Sequence, residues 1–172
     1  MSEDLKIQGV ISEIGHGTAE KRNKKIAEIF YRRLPELREF YLGTLNIRLI
    51  EPADLNIKRI SSVREVAFPI PKSAYSWRKR PLRPETITMI PVYYSGKDIT
   101  GEKPGFLYLA SRSSRPRKGI LELIAPEHLK EKHGLRIGDR MEIRIPEYRK
   151  RTFAFIPEIM KKWTSHLFYL IK

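Results

Sequence analysis

The sequence predicts a mainly β protein, a small closed barrel of six strands with a few helices at its periphery. Short stretches in which apolar and polar residues alternate recur along the 172-residue chain, as expected of strands. Turn residues separate these stretches at close intervals, which is typical of a small barrel. The length suits one domain with a core of ordinary size. The predicted strands are residues 6–14, 46–50, 87–93, 106–110, 120–124 and 141–145.

The first predicted strand ends at a glycine loop. Gly15 and Gly17 lack side chains, so that backbone N–H groups in this loop can approach a phosphate closely. The loop is therefore a candidate phosphate-binding element.

A helix is predicted after the basic run 21–25. Glu28 and Arg32 stand four residues apart and would add an ion pair, and the helix is expected to end or re-enter at Pro35. The basic run could meet phosphates or form a solvated charged face. The apolar positions at helical spacing are Ile26, Ile29, Phe30 and Leu34.

The next element is a predicted glycine turn at Gly43 that enters an alternating strand. Thr44 and Asn46 are two residues apart, so their side chains point to the same face of that strand. Their hydroxyl and carboxamide oxygens are ligands of the kind that magnesium takes. The pair is a candidate catalytic corner, although such a threonine commonly packs or hydrogen-bonds locally.

The segment from Pro69 to Pro84 is rich in proline and therefore irregular. Its basic residues surround Tyr75 and Trp77, a composition that can hold single-stranded nucleic acid by phosphate contact and stacking. The two aromatic residues could equally anchor a surface loop to the barrel. The basic residues are Lys72, Arg78, Lys79, Arg80 and Arg83.

A short helix and a turn are predicted before the last barrel strand. Pro126 suits the first position of the helix, His133 lies near its end, and Gly134 stops it. Gly138 and Asp139 then form the turn into the strand. Upstream, Glu122 is an acid within the apolar stretch 121–124, where it could serve catalysis or face solvent.

The C-terminal residues predict an extra helix, because apolar side chains recur there at helical spacing and Pro157 fits a helix start. We therefore expect a barrel domain over residues 1–147 and a helical extension over residues 148–172 that packs on it. A dimer contact or a membrane-surface contact would also bury the apolar face of this helix.

Composition restricts the possible functions. The chain has 34 Lys and Arg against 20 Asp and Glu, a net charge of +14 that attracts polyanions such as a nucleotide or nucleic acid. The absence of Cys excludes disulfides, thiolate metal sites and a Cys nucleophile. No stretch approaches the roughly 20 apolar residues of a membrane span, and the N-terminus is polar, so a cytoplasmic protein is expected.

Other catalytic patterns are missing. The four histidines lack zinc-type spacing, and neither a Walker loop nor a nucleophile elbow is present. A nicotinamide-binding glycine fingerprint is missing as well.

Three blocks in this order resemble the archaeal CTP-dependent riboflavin kinase family. They are the glycine loop 15–18, the corner 43–46, and the run 121–130 with the turn at 134–139. The likeness covers roughly residues 6–146. It implies a Greek-key, cradle-loop barrel and a magnesium-assisted transfer of a phosphoryl group from CTP to the 5′-hydroxyl of riboflavin, giving FMN and CDP.

The resemblance also implies roles for individual residues. Thr44 and Asn46 would hold Mg²⁺, Ser114 and Glu122 would face the flavin, and Glu122 would accept or orient the acceptor hydroxyl. Lys130 and the basic loop 112–118 would supply countercharge. The nucleotide-binding residues would be Ile14, Gly15, His16, Gly17, Thr18, Glu127, His128, Leu129 and Lys130.

The sequence departs from the family at the glycine loop. His16 replaces the family's usual acid, and the loop is one residue short before Gly15. With the basic charge and the segment 72–83, these departures leave two alternatives. One is a nucleic-acid-binding or regulatory barrel without kinase activity, and the other is a related kinase that uses another nucleotide or acceptor.

Overall fold

In a computed structural model of the chain, the described residues are 3–14, 18–50, 60–75, 84–111, 113 and 119–150. Within them the chain forms eight strands, three α-helices and two 3₁₀ turns, the latter at Pro35–Glu39 and Lys72–Tyr75. In chain order the elements are β1 (Glu3–Ile14), α1 (Thr18–Lys25), α2 (Ala27–Tyr31), β2 (Tyr41–Leu49), β3 (Ile60–Ser62), β4 (Val66–Ile70), β5 (Glu85–Gly96), β6 (Ile99–Ala110), β7 (Ile120–Ala125), α3 (Leu129–His133) and β8 (Arg140–Lys150).

Six antiparallel strands close into a barrel, so the predicted fold class is confirmed. The strands follow one another around the barrel in the order β8, β1, β2, β7, β6 and β5, and β5 pairs with β8 to complete the ring. Every predicted strand lies in this ring. The sequence did not predict β3 and β4, which lie outside the ring and pair with β8 and β5.

The barrel wall is packed on both faces around β7. Alternate residues such as Ile47 of β2 and Leu121 of β7 fill the interior. On the outer face, a second apolar cluster joins the helical segment to β4–β7, and Phe30 meets Phe68 edge to face with ring centroids 5.1 Å apart. All six residues of β7 are therefore buried.

The N-terminal helical segment differs from the prediction. The basic run lies within α1 rather than before the helix. The helical segment is interrupted at Ile26, which separates α1 from α2. The predicted ion pair of Glu28 with Arg32 does not form, although the Arg32 N–H donates to the Glu28 carbonyl as in a helical turn. Glu28 instead lies 4.0 Å from Arg38 of the following 3₁₀ turn. The α-helix ends at Tyr31, and a separate 3₁₀ turn begins at Pro35.

The short helix after β7 also starts later than predicted. Pro126 lies in a bend, and α3 begins at Leu129 because His128 before it has an extended backbone. Gly134 ends α3 with φ +63°, a left-handed conformation that glycine adopts without strain. The predicted turn at Gly138 and Asp139 is confirmed, since β8 follows at Arg140.

The C-terminal extension falls mostly outside the described residues. β8 continues to Lys150, and the predicted helix over the rest of the chain belongs to residues that are not described. None of the described helices is long and apolar enough to cross a membrane.

Candidate functional site

Three oxygen-bearing side chains meet on the outer face where β2 and β7 adjoin. Leu45 and Ile47 of β2 point into the barrel, so Thr44 and Asn46 share the outer face as predicted. Asn46 stands opposite Glu122 in the β2–β7 register. The Thr44 hydroxyl donates to Oε1 of Glu122 over 3.3 Å. The fold therefore gathers the two predicted metal ligands and the predicted catalytic acid.

Glu122 is buried, so it is not the solvent-facing acid that strand alternation alone would allow. Its exposure is 6 % and that of Asn46 is 1 %. On the same face of β7, Ile124 packs in the second apolar cluster with Ile26 and Phe30 of the helical segment. A carboxylate held away from water needs polar partners, and Thr44 supplies one of them.

Gly43 lies inside β2, so the predicted glycine turn at this position is wrong. The β2–β7 register shifts between Tyr41 and Leu45, which marks a bulge around Gly43. A Cβ on Gly43 would lie 2.2 Å from Cε1 of Tyr41. Glycine therefore allows the Tyr41 ring to fold back along its own strand.

A cleft opens beside this corner, between the start of α1, β2 and the segment that follows β7. The described residues enclose about 50 Å³ within it. Thr44 and the predicted nucleotide-binding residues Glu127, His128, Leu129 and Lys130 all line it. The remaining lining residues are Ala19, Glu20, Tyr41, Gly43, Leu45, Leu123 and Ala125.

The glycine loop starts and ends close to the corner. At its start, Ile14 of β1 pairs with Leu45, and Glu13 pairs with Asn46. At its end, Thr18 begins α1, whose next residue, Ala19, lines the cleft. Gly15, His16 and Gly17 lie outside the described residues, as do Ser114 and, apart from Ser113, the basic loop 112–118.

One wall of the cleft is held by a chain of polar contacts. The Tyr41 hydroxyl donates to Oε2 of Glu20 over 2.6 Å, and Lys24 pairs with the same carboxylate at 2.5 Å. The hydrogen bonds from Lys24 and Tyr41 lower the pKa of Glu20, whereas burial and the neighbouring Glu20 raise the pKa of Tyr41. The Tyr41 ring also meets the His128 ring edge to face at 4.5 Å.

Glu127, which also lines the cleft, is a firmly held anion. Nε2 of His133 lies 2.5 Å from Oε1 of Glu127, Lys132 bonds to Oε2, and Nδ1 of His133 lies 3.0 Å from the Asp98 carbonyl oxygen. Burial alone would raise the pKa of Glu127, but the bonds from Lys132 and His133 outweigh it and lower that pKa.

A further polar group, which the sequence did not reveal, lies between α1 and the sheet. Nη2 of Arg22 donates to the Tyr108 hydroxyl over 2.5 Å, and the fully buried Asn23 donates through Nδ2 to the Leu42 carbonyl over 2.8 Å. One signal was available in the sequence: Asn23 is the only uncharged residue in the run 21–25.

No protein-family model matches the chain, and no curated protein matches it either. Within the described ranges, no group of three or more His, Asp or Glu side chains could hold a metal ion. A metal at the corner would therefore depend on the hydroxyl and carboxamide oxygens of Thr44 and Asn46.

Proposed function

We propose that the protein is a CTP-dependent riboflavin kinase that transfers a phosphoryl group to the riboflavin 5′-hydroxyl, giving FMN and CDP. One observation carries the proposal. Thr44, which adjoins Asn46 and Glu122 at the corner, lines the same cleft as residues 127–130. These positions are distant in sequence, yet they belong to two blocks of the family resemblance.

The corner fits Mg²⁺ in donor chemistry. Magnesium takes oxygen ligands, commonly one or two carboxylates together with waters and substrate phosphates. Thr44 and Asn46 offer a hydroxyl and a carboxamide oxygen on one face, and the Glu122 carboxylate beside them remains for the acceptor hydroxyl. When bound, the ion would neutralise negative charge on the nucleotide phosphates.

Glu122 is the group that would receive the proton. As the hydroxyl oxygen of the acceptor bonds to the γ-phosphorus, the bond from that phosphorus to the β,γ-bridging oxygen breaks and CDP leaves. The hydroxyl proton passes to the Glu122 carboxylate. The hydrogen bond from Thr44 to Oε1 orients that carboxylate for the transfer.

The cleft by itself is too small to enclose a nucleotide. The described residues enclose about 50 Å³, whereas ligand pockets commonly measure about 300–1,000 Å³. We therefore expect the nucleotide to lie in an open groove or to bind as further residues close over it. Lys130, which lines the cleft, would contact the phosphates of the nucleotide. The anionic Glu127 would accept hydrogen bonds from donor groups of the nucleotide.

A second candidate function is nucleic-acid binding without kinase activity. Val10 of β1 pairs with Arg48 of β2 on one side and with Arg140 of β8 on the other. Both arginines are exposed, and neither forms an ion pair within the described part of the chain. Two such cations on adjacent strands can contact phosphates.

One assay separates these functions. The protein is incubated with riboflavin, magnesium and CTP, ATP, GTP or UTP in turn, and FMN and nucleoside diphosphate are quantified, with EDTA as the metal control. Turnover with CTP that EDTA abolishes supports the proposal. Turnover with another nucleotide alone indicates a related kinase. No FMN with any nucleotide, together with salt-sensitive binding of single-stranded RNA or DNA, refutes kinase function and supports the second candidate.

A further inference from the structure

Arg22 of α1 is a half-buried cation whose hydrogen-bond partners among the described residues are neutral. Its Nη2 donates to the Tyr108 hydroxyl over 2.5 Å, and its Nε donates to Oδ1 of Asn23 over 3.4 Å. Its guanidinium also lies 5.3 Å from the centroid of the Tyr108 ring. Among the described residues, no carboxylate lies within 4.0 Å of it.

Arg144 shows how this chain treats another half-buried arginine. Its guanidinium lies 2.8 Å from Asp4 and 2.6 Å from Glu102, which neutralise its charge. A guanidinium withdrawn from water ordinarily has such partners, because an uncompensated charge is costly. Arg22 therefore has a charge and free N–H donors for an anion that the described residues do not provide.

The position of Arg22 places that charge beside the proposed site. Asn23 donates to Leu42 of β2, and its Oδ1 accepts from Tyr108 of β6 over 3.4 Å. Because β7 lies between β2 and β6, α1 crosses above β7. Leu107 of β6 pairs with Leu123 of β7, so the next step of the register places Tyr108 opposite Glu122. Arg22 thus stands over the strand that carries the proposed proton acceptor.

We propose that Arg22 binds the phosphoryl group that passes from the nucleotide to the acceptor, and that Tyr108 positions its guanidinium. This role rests on the proposed kinase function. The planar guanidinium can offer two parallel N–H donors to phosphate oxygens, a geometry that lysine lacks. The ligand is accordingly a phosphate ester or polyphosphate that reaches the half-buried Arg22 guanidinium beside the Tyr108 hydroxyl.

The test compares wild type with Arg22→Gln, Arg22→Lys and Lys21→Gln. Lys21 is an exposed neighbour in α1, so Lys21→Gln removes the same formal charge without removing the proposed contact. Circular dichroism first compares the folding of each variant with that of wild type. Two quantities are then measured: affinity for inorganic tripolyphosphate with magnesium by calorimetry, and FMN formation from riboflavin and nucleotide.

We expect Arg22→Gln to weaken tripolyphosphate binding about 10-fold or more, since a hydrogen bond to a charged group contributes roughly 1.5–3 kcal/mol. We expect turnover to fall about 100-fold, as when one donor to a developing oxyanion is removed. Arg22→Lys should recover part of the affinity and little of the rate. Lys21→Gln should change both quantities less than about 2-fold, since exposed charges contribute little.

Equal behaviour of Arg22→Gln and Lys21→Gln in an active enzyme would overturn the role of Arg22 and leave the kinase proposal intact. The wild type could form no FMN and yet bind tripolyphosphate, with weaker binding in the Arg22 variants but not in Lys21→Gln. In that case the kinase proposal fails and anion binding at Arg22 stands. If Arg22→Gln does not fold, Arg22→Lys decides, and a wild-type rate in that variant would overturn the inference.

Discussion

Replacing Asn23 with leucine should destabilise the protein, because this side chain attaches α1 to the barrel. Asn23 is completely buried, and Nδ2 donates to the Leu42 carbonyl over 2.8 Å. Leucine has a similar volume, so little cavity forms. The substitution removes one buried hydrogen bond, and the Leu42 carbonyl loses the Asn23 donor.

The size of the effect follows from that lost contact. A buried acceptor left unsatisfied costs about 1–3 kcal/mol, so we expect a loss of about 2 kcal/mol in the free energy of unfolding. The contacts of Oδ1 with Arg22 and Tyr108 are both 3.4 Å long and should add little. For a protein of this size, about 2 kcal/mol corresponds to a Tm lower by about 4–8 °C.

Urea unfolding followed by circular dichroism measures the change directly. The midpoint should fall while the slope with denaturant stays constant, since the surface exposed on unfolding is nearly the same. Lys21→Ala is the matched control on the same helix, and we expect it to change stability by less than about 0.5 kcal/mol. A change that small in Asn23→Leu would refute the attachment of α1 through this residue.

Three further predictions concern the cleft. Glu122→Gln should retain nucleotide binding by calorimetry but lower kcat for FMN formation by about 10²–10⁴-fold, because the amide cannot accept the proton. Gly43→Ala should cost about 1–3 kcal/mol in urea unfolding, since its Cβ would overlap the Tyr41 ring. Lys132→Met should raise the pKa of Glu127 towards 4.5 in a carboxyl NMR titration, because it removes the strongest of the contacts that lower that pKa.

The last prediction has a consequence for acid stability. The pKa of Glu127 is lower in the folded state than its ordinary value of 4.5. Its contribution to stability is therefore present above pH 4.5 and is lost as the pH falls through the folded-state pKa. Lys132→Met should reduce this loss of stability at acid pH. If the free energy of unfolding of Lys132→Met fell with pH as it does in wild type, the prediction would be wrong. Lys130→Met, on the same helix, is the control.

Each of the other two predictions has its own control. Thr44→Ser keeps a hydroxyl next to Glu122 and should keep most of the rate, whereas full activity in Glu122→Gln would exclude proton acceptance by this residue. Gly101→Ala has open space around its Cβ but a φ of +67°, so it measures backbone strain alone. If Gly43→Ala were no worse, the contact with Tyr41 would carry no energetic weight.

Local patterns in the sequence were sufficient for the barrel strands. Alternation of period two identified all six strands of the ring, because each buries one face against the interior. The three-residue β3 carries too little pattern to be recognised. β4 was missed because Pro69 was expected to make its segment irregular, whereas Pro69 lies within β4 and pairs with Thr86 of β5. Helix starts were displaced at α1 and α3 because contacts with the sheet and a bend at Pro126, rather than propensity, set them.

The sequence by itself determined that Thr44 and Asn46 share one face, because strand geometry makes alternate residues neighbours. Only the tertiary structure decided that Glu122 is buried beside them and that Arg22 lies over the same strand. Those relations depend on which strands pair and on which face α1 covers. They arise from contacts between residues far apart in the chain, which no local pattern encodes.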